Sequence, residues 1–129
     1  APELSNEAHY YRAKAYLDAG KTDGAMEDLK ILAKDTRNVY GAEAKYKVAQ
    51  IYFDGGQTDK AEQEVLNYIE VSTPHTYWLA RSFVLLSDVY VAMGKDLDAR
   101  QYLLSLQQNY QGNDDIESMI EDRLKKLNK

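Results

Sequence analysis

Ala15-Tyr16-Leu17-Asp18-Ala19-Gly20-Lys21-Thr22-Asp23-Gly24-Ala25 returns twice in this chain, as Ile51-Tyr52-Phe53-Asp54-Gly55-Gly56-Gln57-Thr58-Asp59-Lys60-Ala61 and as Val89-Tyr90-Val91-Ala92-Met93-Gly94-Lys95-Asp96-Leu97-Asp98-Ala99. The intervals are 36 and 38 residues, and they hold in other columns: Ala13, Ala49 and Ser87; Leu29, Val65 and Leu103; Leu32, Tyr68 and Leu106. A period of that length is the mark of a repeat architecture. The change from 36 to 38 places a two-residue insertion between Tyr68 and Leu86, around Ser72-Thr73-Pro74.

Within each repeat the apolar spacing is helical, as in Val48, Ala49, Ile51 and Tyr52. The recurring glycine marks a helix end, because only glycine enters the left-handed region at little cost. Thr22, Thr58 and Asp96 follow it and are predicted N-caps of the next helix. The resulting fold is all-α: three antiparallel helical hairpins stacked as an α-solenoid, with a C-terminal capping helix. Predicted helices run near 5–19, 22–35, 39–54, 58–70, 74–93 and 96–110, with Thr73 capping and Pro74 in the first turn of the fifth. Gly112 is expected to close the sixth. Asp114, with Glu117 three residues on, is expected to cap a seventh whose stripe is Ile116, Met119, Ile120, Leu124 and Leu127. These assignments make residues 1–129 one domain, with repeats at about 5–37, 38–73 and 74–112 and the capping helix at 113–129.

Composition narrows the function. Lys plus Arg number 16 against 21 Asp plus Glu, a net charge of −5, which disfavours nucleic acid and anionic membranes as partners. A helical-repeat reader of RNA is therefore a poor fit, and no apolar run is long enough to insert in a membrane. Without cysteine there is no disulfide or thiolate site. His9 and His75 stand far apart and outside any metal-ligand spacing, so both are expected at the surface or at helix ends, and no cofactor or metal is expected. Gly20-Lys21-Thr22 lacks the first glycine of a phosphate loop and follows a helix, not a strand. Asp114-Asp115 suits a helix N-terminus, where negative charge is favoured for its own sake. No catalytic residue emerges, and the chain is expected not to be an enzyme. The opening Ala1-Pro2-Glu3 has no Met and no apolar leader, so a signal peptide is absent, already removed or outside this sequence.

The recurring small residue (Ala13, Ala49, Ser87), tyrosine (Tyr16, Tyr52, Tyr90), turn glycine and second-helix alanine (Ala25, Ala61, Ala99) resemble the tetratricopeptide repeat family over residues 5–110. The sequence departs from the family pattern at His9 and Lys45, where an early aromatic is usual and only Phe83 keeps it, and in its longer period and missing proline. Together with Ala8-His9-Tyr10-Tyr11, Ala44-Lys45-Tyr46 and the ending Arg123-Leu124-Lys125-Lys126-Leu127, these features are similar to repeat proteins of the Gram-negative envelope, of the Tol-Pal-associated type. That resemblance implies a periplasmic or envelope location, with the cytoplasm as the alternative.

The resemblance also implies a concave groove lined by the first helices. Its positions are Glu7, Tyr10, Lys14 and Leu17; Glu43, Tyr46, Gln50 and Phe53; Arg81, Val84, Asp88 and Val91. Each set steps by 3, 4 and 3 along one helical face. Aromatic area with Lys14 and Arg81 suits a protein or peptide partner. Lys14, Gln50 and Arg81 could donate to a carboxylate, as the clamp of some family members does, but Tyr10 and Leu85 stand where that clamp has cations. Tyr10, Tyr46 and Phe53 have an alternative, packing between adjacent first helices. Two further readings stay open: an architectural spacer with no ligand, and, from Tyr11 and Leu17 exposed among Ala8, Ala15 and Ala19, an N-terminal face that meets preceding repeats of a longer chain or a second copy.

Overall fold

A computed structural model describes residues 4–71 and 73–128. Ala1-Pro2-Glu3, where the leader reading falls, and Ser72, within the predicted insertion, lie outside the described residues. Seven helices follow one another, α1 (Asn6–Asp18), α2 (Thr22–Leu32), α3 (Val39–Asp54), α4 (Thr58–Glu70), α5 (Thr76–Ala92), α6 (Asp96–Asn109) and α7 (Ile116–Leu127), with no strand among the described residues. They form three antiparallel hairpins stacked as a solenoid.

The turn inside each hairpin is the same object three times. Gly20, Gly56 and Gly94 have φ of 74°, 80° and 76°, and no other described residue has positive φ. After the glycine, the N–H groups of Lys21, Gln57 and Lys95 donate 2.7, 2.8 and 2.7 Å back to the carbonyls of Tyr16, Tyr52 and Tyr90. The glycine N–H groups donate 3.0 Å to Leu17, Phe53 and Val91. These two bonds are the Schellman closure, which satisfies carbonyls that a helix end leaves unpaired.

That closure overturns the predicted caps. Lys21, Gln57 and Lys95 occupy the N-cap, without side-chain bonds, and Thr22, Thr58 and Asp96 are already helical. In these cap residues ψ is 72°, 66° and 62°, short of the extended backbone a capping side chain needs. Where ψ is extended, capping occurs: Ser5 (163°) accepts from Ala8 N–H at 3.1 Å, and Asn38 (140°) from Tyr40 N–H at 2.8 Å.

Other boundaries also shift. α2 ends at Leu32 instead of 35, because Gly41 at the start of α3 presses on the carbonyls of Leu32 and Asp35, where no Cβ would fit. α5 starts at Thr76: the Thr73 hydroxyl donates 2.7 Å to the Thr36 carbonyl and accepts from His75 N–H, so Thr73 and Pro74 belong to the connection. Gly112 is not a left-handed helix terminator. It leaves room for the Tyr110 hydroxyl to reach Asp114 Oδ2 at 2.5 Å, which burial and that carboxylate accompany with a tyrosine pKa raised to about 12. Asp114 accepts from Ile116 N–H at 3.0 Å, but Glu117 makes no return bond among the described residues.

Packing follows the columns. Ala13, Ala25, Ala49, Ala61, Ser87 and Ala99 are all at most 1% exposed, small enough to bring the paired helices into contact. Each core joins a hairpin to the next first helix: Ala13, Ala25, Leu29 and Leu32 with Ala44 and Val48; Ala49, Ala61 and Val65 with Leu85, Leu86 and Val89; Val84, Leu103 and Leu106 with Ile116 and Ile120. α7 thus stands as a fourth first helix, its columns 38 residues beyond those of α5. At the positions that would face a second helix of its own it carries Glu121, Lys125 and Asn128, so the apolar order stops there. α1, α3, α5 and α7 touch in succession, whereas α2, α4 and α6 make no contact with one another among the described residues. The first helices are therefore the inner layer.

Gly56→Ala should cost about 1–2 kcal/mol for the left-handed backbone alone, since its Cβ would meet nothing within 4 Å. Thr58→Ala should cost under about 0.5 kcal/mol in the same urea titration, because it caps nothing.

Candidate functional site

The inner face is built by rungs between consecutive first helices. The Tyr10 hydroxyl donates to Glu43 Oε1 and Oε2 at 3.0 and 3.2 Å. One repeat on, Arg81 Nη2 donates 2.9 Å to the Tyr46 hydroxyl. In the next, Val84 and Met119 meet at the same columns without polar atoms. Arg123 of α7 adds a two-pronged pair with Asp88, both bonds 2.9 Å.

Around the middle rung a continuous relay crosses the face. Tyr77 donates to Asp115 at 2.8 Å, Arg81 to Tyr77 at 3.0 Å and to Tyr46 at 2.9 Å, Tyr46 to Gln50 at 2.9 Å, and Gln50 to Asp54 at 2.8 Å. The guanidinium lies 4.9 Å from the Tyr46 ring centre and 5.9 Å from that of Tyr77. Burial works against its charge, and the two hydroxyls outweigh this, so its pKa stands above the ordinary value. No carboxylate forms an ion pair with Arg81 among the described residues. Trp78 packs beside the relay, 5.7 Å from Tyr46.

The twelve predicted groove positions divide. Glu7, Lys14 and Val91 are exposed, and Leu17, Phe53, Tyr10, Glu43, Gln50, Arg81 and Asp88 are half-buried. Tyr46 and Val84 are 7% and 2% exposed, so these two are core residues and not groove surface, because the neighbouring first helix closes over them. Tyr10 likewise packs on α3, 4.8 Å from the Tyr40 ring, with Lys14 over its own ring at 5.2 Å. Of the three carboxylate donors, Gln50 and Arg81 are engaged within the relay. Leu17 is partly covered by the first core, not open as expected.

The hairpins have their own pins, which the sequence reading missed. His9 Nδ1 lies 2.7 Å from Asp28 Oδ1, Lys45 Nζ lies 2.7 Å from Glu64 Oε1, and the rings of Phe83 and Tyr102 lie 6.0 Å apart. Each pair is 19 residues apart, so one column pair carries three chemistries, and that constant spacing was the available signal. His9 is thus a buried partner of Asp28 and not the surface residue expected, whereas His75 sits at a helix end with Nε2 2.9 Å from the Arg37 carbonyl. Arg12 completes the first pin with bonds of 2.8 and 2.6 Å to Asp28, and chiefly this holds the Asp28 pKa below its ordinary value. Tyr77, Trp78, Asp115 and Arg123 were also missed, since they act across repeats. Among the described residues no His and carboxylate cluster could hold a metal, and no helix is long and apolar enough to cross a membrane.

Stacked hairpins with an inner layer of first helices define an α-solenoid of the helical-repeat class. Residues 7–35, covering most of α1 and all of α2, match the family model described as tetratricopeptide repeat, which supports that family. No curated protein and no solved structure matches the chain. Tetratricopeptide repeats generally mediate protein–protein interaction and are typically non-catalytic.

Tyr46→Phe keeps the ring and removes the centre of the relay; it should lower stability by about 1–2 kcal/mol in urea denaturation. The Asp28 pin has a definite pH sign. A carboxylate whose pKa is lowered on folding contributes fully above its unfolded value, near 3.8, and the contribution is lost as pH falls from there through the folded value. The melting-temperature difference between the parent and Asp28→Asn should hold from neutral pH down to about 4–5 and shrink below.

Proposed function

We propose that the inner face is a non-catalytic interaction scaffold that takes a partner protein or peptide along the row Leu17, Phe53 and Val91, with Lys14 beside it. The observation that carries this reading is that row. This column carries no polar rung: Leu17 and Phe53 pack at the edges of the first and second cores and stay partly open, and Val91 is 45% exposed on α5. Phe53 and Val91 line one groove, and apolar side chains at one column of each first helix with charge at the edge suit side chains projecting from an extended or helical segment. The reading treats residues 1–129 as one unit. The likeness of Ala8–Tyr11, Ala44–Tyr46 and the α7 ending to envelope repeat proteins favours a partner in the periplasm or envelope over one in the cytoplasm.

A spacer without a ligand is the second reading, and the use of Tyr10, Glu43, Tyr46, Arg81 and Asp88 for internal bonds favours it. The two are separated by Lys14→Glu with Val91→Asp, both at exposed positions and expected to leave the melting temperature nearly unchanged. Affinity capture from separated envelope and cytosolic fractions, read by mass spectrometry, should show a specific envelope protein held by the parent and lost by the variant. An identical set of retained proteins would sink the scaffold reading.

A further inference from the structure

The turn of the third hairpin breaks a pattern that the first two keep. Asp18 and Asp54 end α1 and α3, and Asp23 and Asp59 stand in the first turns of α2 and α4. In the third hairpin these two columns hold Ala92 and Leu97. The fold gains nothing by the exchange. The left-handed glycine and its closure are the same in all three turns. Leu97 is 81% exposed and takes part in none of the three described cores, and a carboxylate in its place would suit the N-terminal turn of α6 better.

The altered turn adjoins a groove of about 620 Å³ between α3, α5, α6 and α7. Phe53, Val91, Ala92, Leu103 and Leu127 give this groove its apolar lining, and Leu97 follows directly on Asp96 at its edge. The charges in the lining are unevenly used. Asp88 and Arg123 satisfy each other, whereas the side chains of Asp96, Asp122 and Lys126 form no hydrogen bond or ion pair among the described residues. Two free carboxylates against one free ammonium leave the groove acidic.

We infer that this groove and the turn beside it are the docking surface for a basic, apolar segment of a partner protein. Its apolar side chains enter beside Val91 and Leu127 and cover Leu97, and its lysine or arginine meets Asp96 and Asp122. The inference rests on the reading of the inner face as an interaction scaffold and adds the place of contact and the partner's charge. A long basic side chain suits such a surface because its stem lies on apolar groups while its head reaches the carboxylates. The net charge of −5 steers the same kind of segment toward the protein, and it disfavours a second copy as the occupant.

The probe is a phage-displayed library of random dodecapeptides selected on the parent chain, with the enriched peptides then titrated by fluorescence anisotropy. Enriched peptides should combine leucine or phenylalanine with lysine or arginine, and their binding should weaken as salt is raised. Leu97→Ser and Asp122→Asn lie at exposed positions and should keep the parent's urea midpoint. Leu97→Ser should weaken binding about tenfold, the scale of one leucine left uncovered, and Asp122→Asn should weaken it most at low salt. An acidic consensus, no enrichment, or peptides indifferent to both substitutions would overturn the inference. So would a dimer of the parent in sedimentation that Leu97→Ser dissociates, since a second copy would then be the occupant. Peptides released by Lys14→Glu with Val91→Asp but held by Leu97→Ser and Asp122→Asn would leave the scaffold reading standing and this inference refuted. Failure of the scaffold reading itself is read separately, by the affinity capture with that double variant.

Discussion

A single column of tyrosines governs both the turn and the fit of each hairpin. The carbonyls of Tyr16, Tyr52 and Tyr90 accept the bond that follows the left-handed glycine, so the chain reverses at a fixed residue. Their rings fill the space beside the returning helix. Gly24 lies against the Tyr16 ring, Lys30 and Lys60 stand over Tyr52 at 5.6 and 5.7 Å, and Tyr90 stacks on Tyr102 at 5.6 Å. Backbone and side chain of one residue therefore set the reversal and the spacing, and the buried alanines can meet only because both are met.

Above that constant frame the chemistry varies freely. The pin within a hairpin is imidazole with carboxylate, ammonium with carboxylate, or two rings. The rung between first helices is phenol with carboxylate, guanidinium with phenol, or two apolar side chains. Position is kept and interaction type is not, as expected when neighbouring repeats need only a satisfied contact at a given place.

The architecture was legible in the sequence because it rests on periodic residues. Tyrosine, glycine and alanine columns marked the six helices of the three hairpins, the stripe Ile116, Met119, Ile120, Leu124 and Leu127 marked the seventh and packs as the spacing required, and the inner layer followed from the family resemblance. The helix starts after the turns, at 22, 58 and 96, agree with the structure, but their N-caps were misplaced by one residue because a Thr or Asp two residues after the glycine looks like a cap, while the closure leaves the residue before it in that position. The inner face was harder to read. Helical spacing puts Tyr46 and Val84 on the same side as Lys14 and Val91, but depth depends on how closely the next first helix approaches. The hydroxyl relay was not visible at all, since Tyr77, Arg81 and Asp115 meet Tyr46 only through the stacking of α3, α5 and α7.

The two layers of the solenoid differ mechanically. First helices are tied to one another by rungs, while α2, α4 and α6 each rest only on first helices. The molecule behaves as a leaf spring with one stiff surface. Increasing its curvature or twist can proceed by changing the gaps between the outer helices, with few bonds at stake, whereas straightening must pull on Tyr10–Glu43, Tyr46–Arg81 and Asp88–Arg123 together. Load along the solenoid axis is thus shared between these three side-chain ties on the inner surface and the apolar cores that seat each first helix on the hairpin before it.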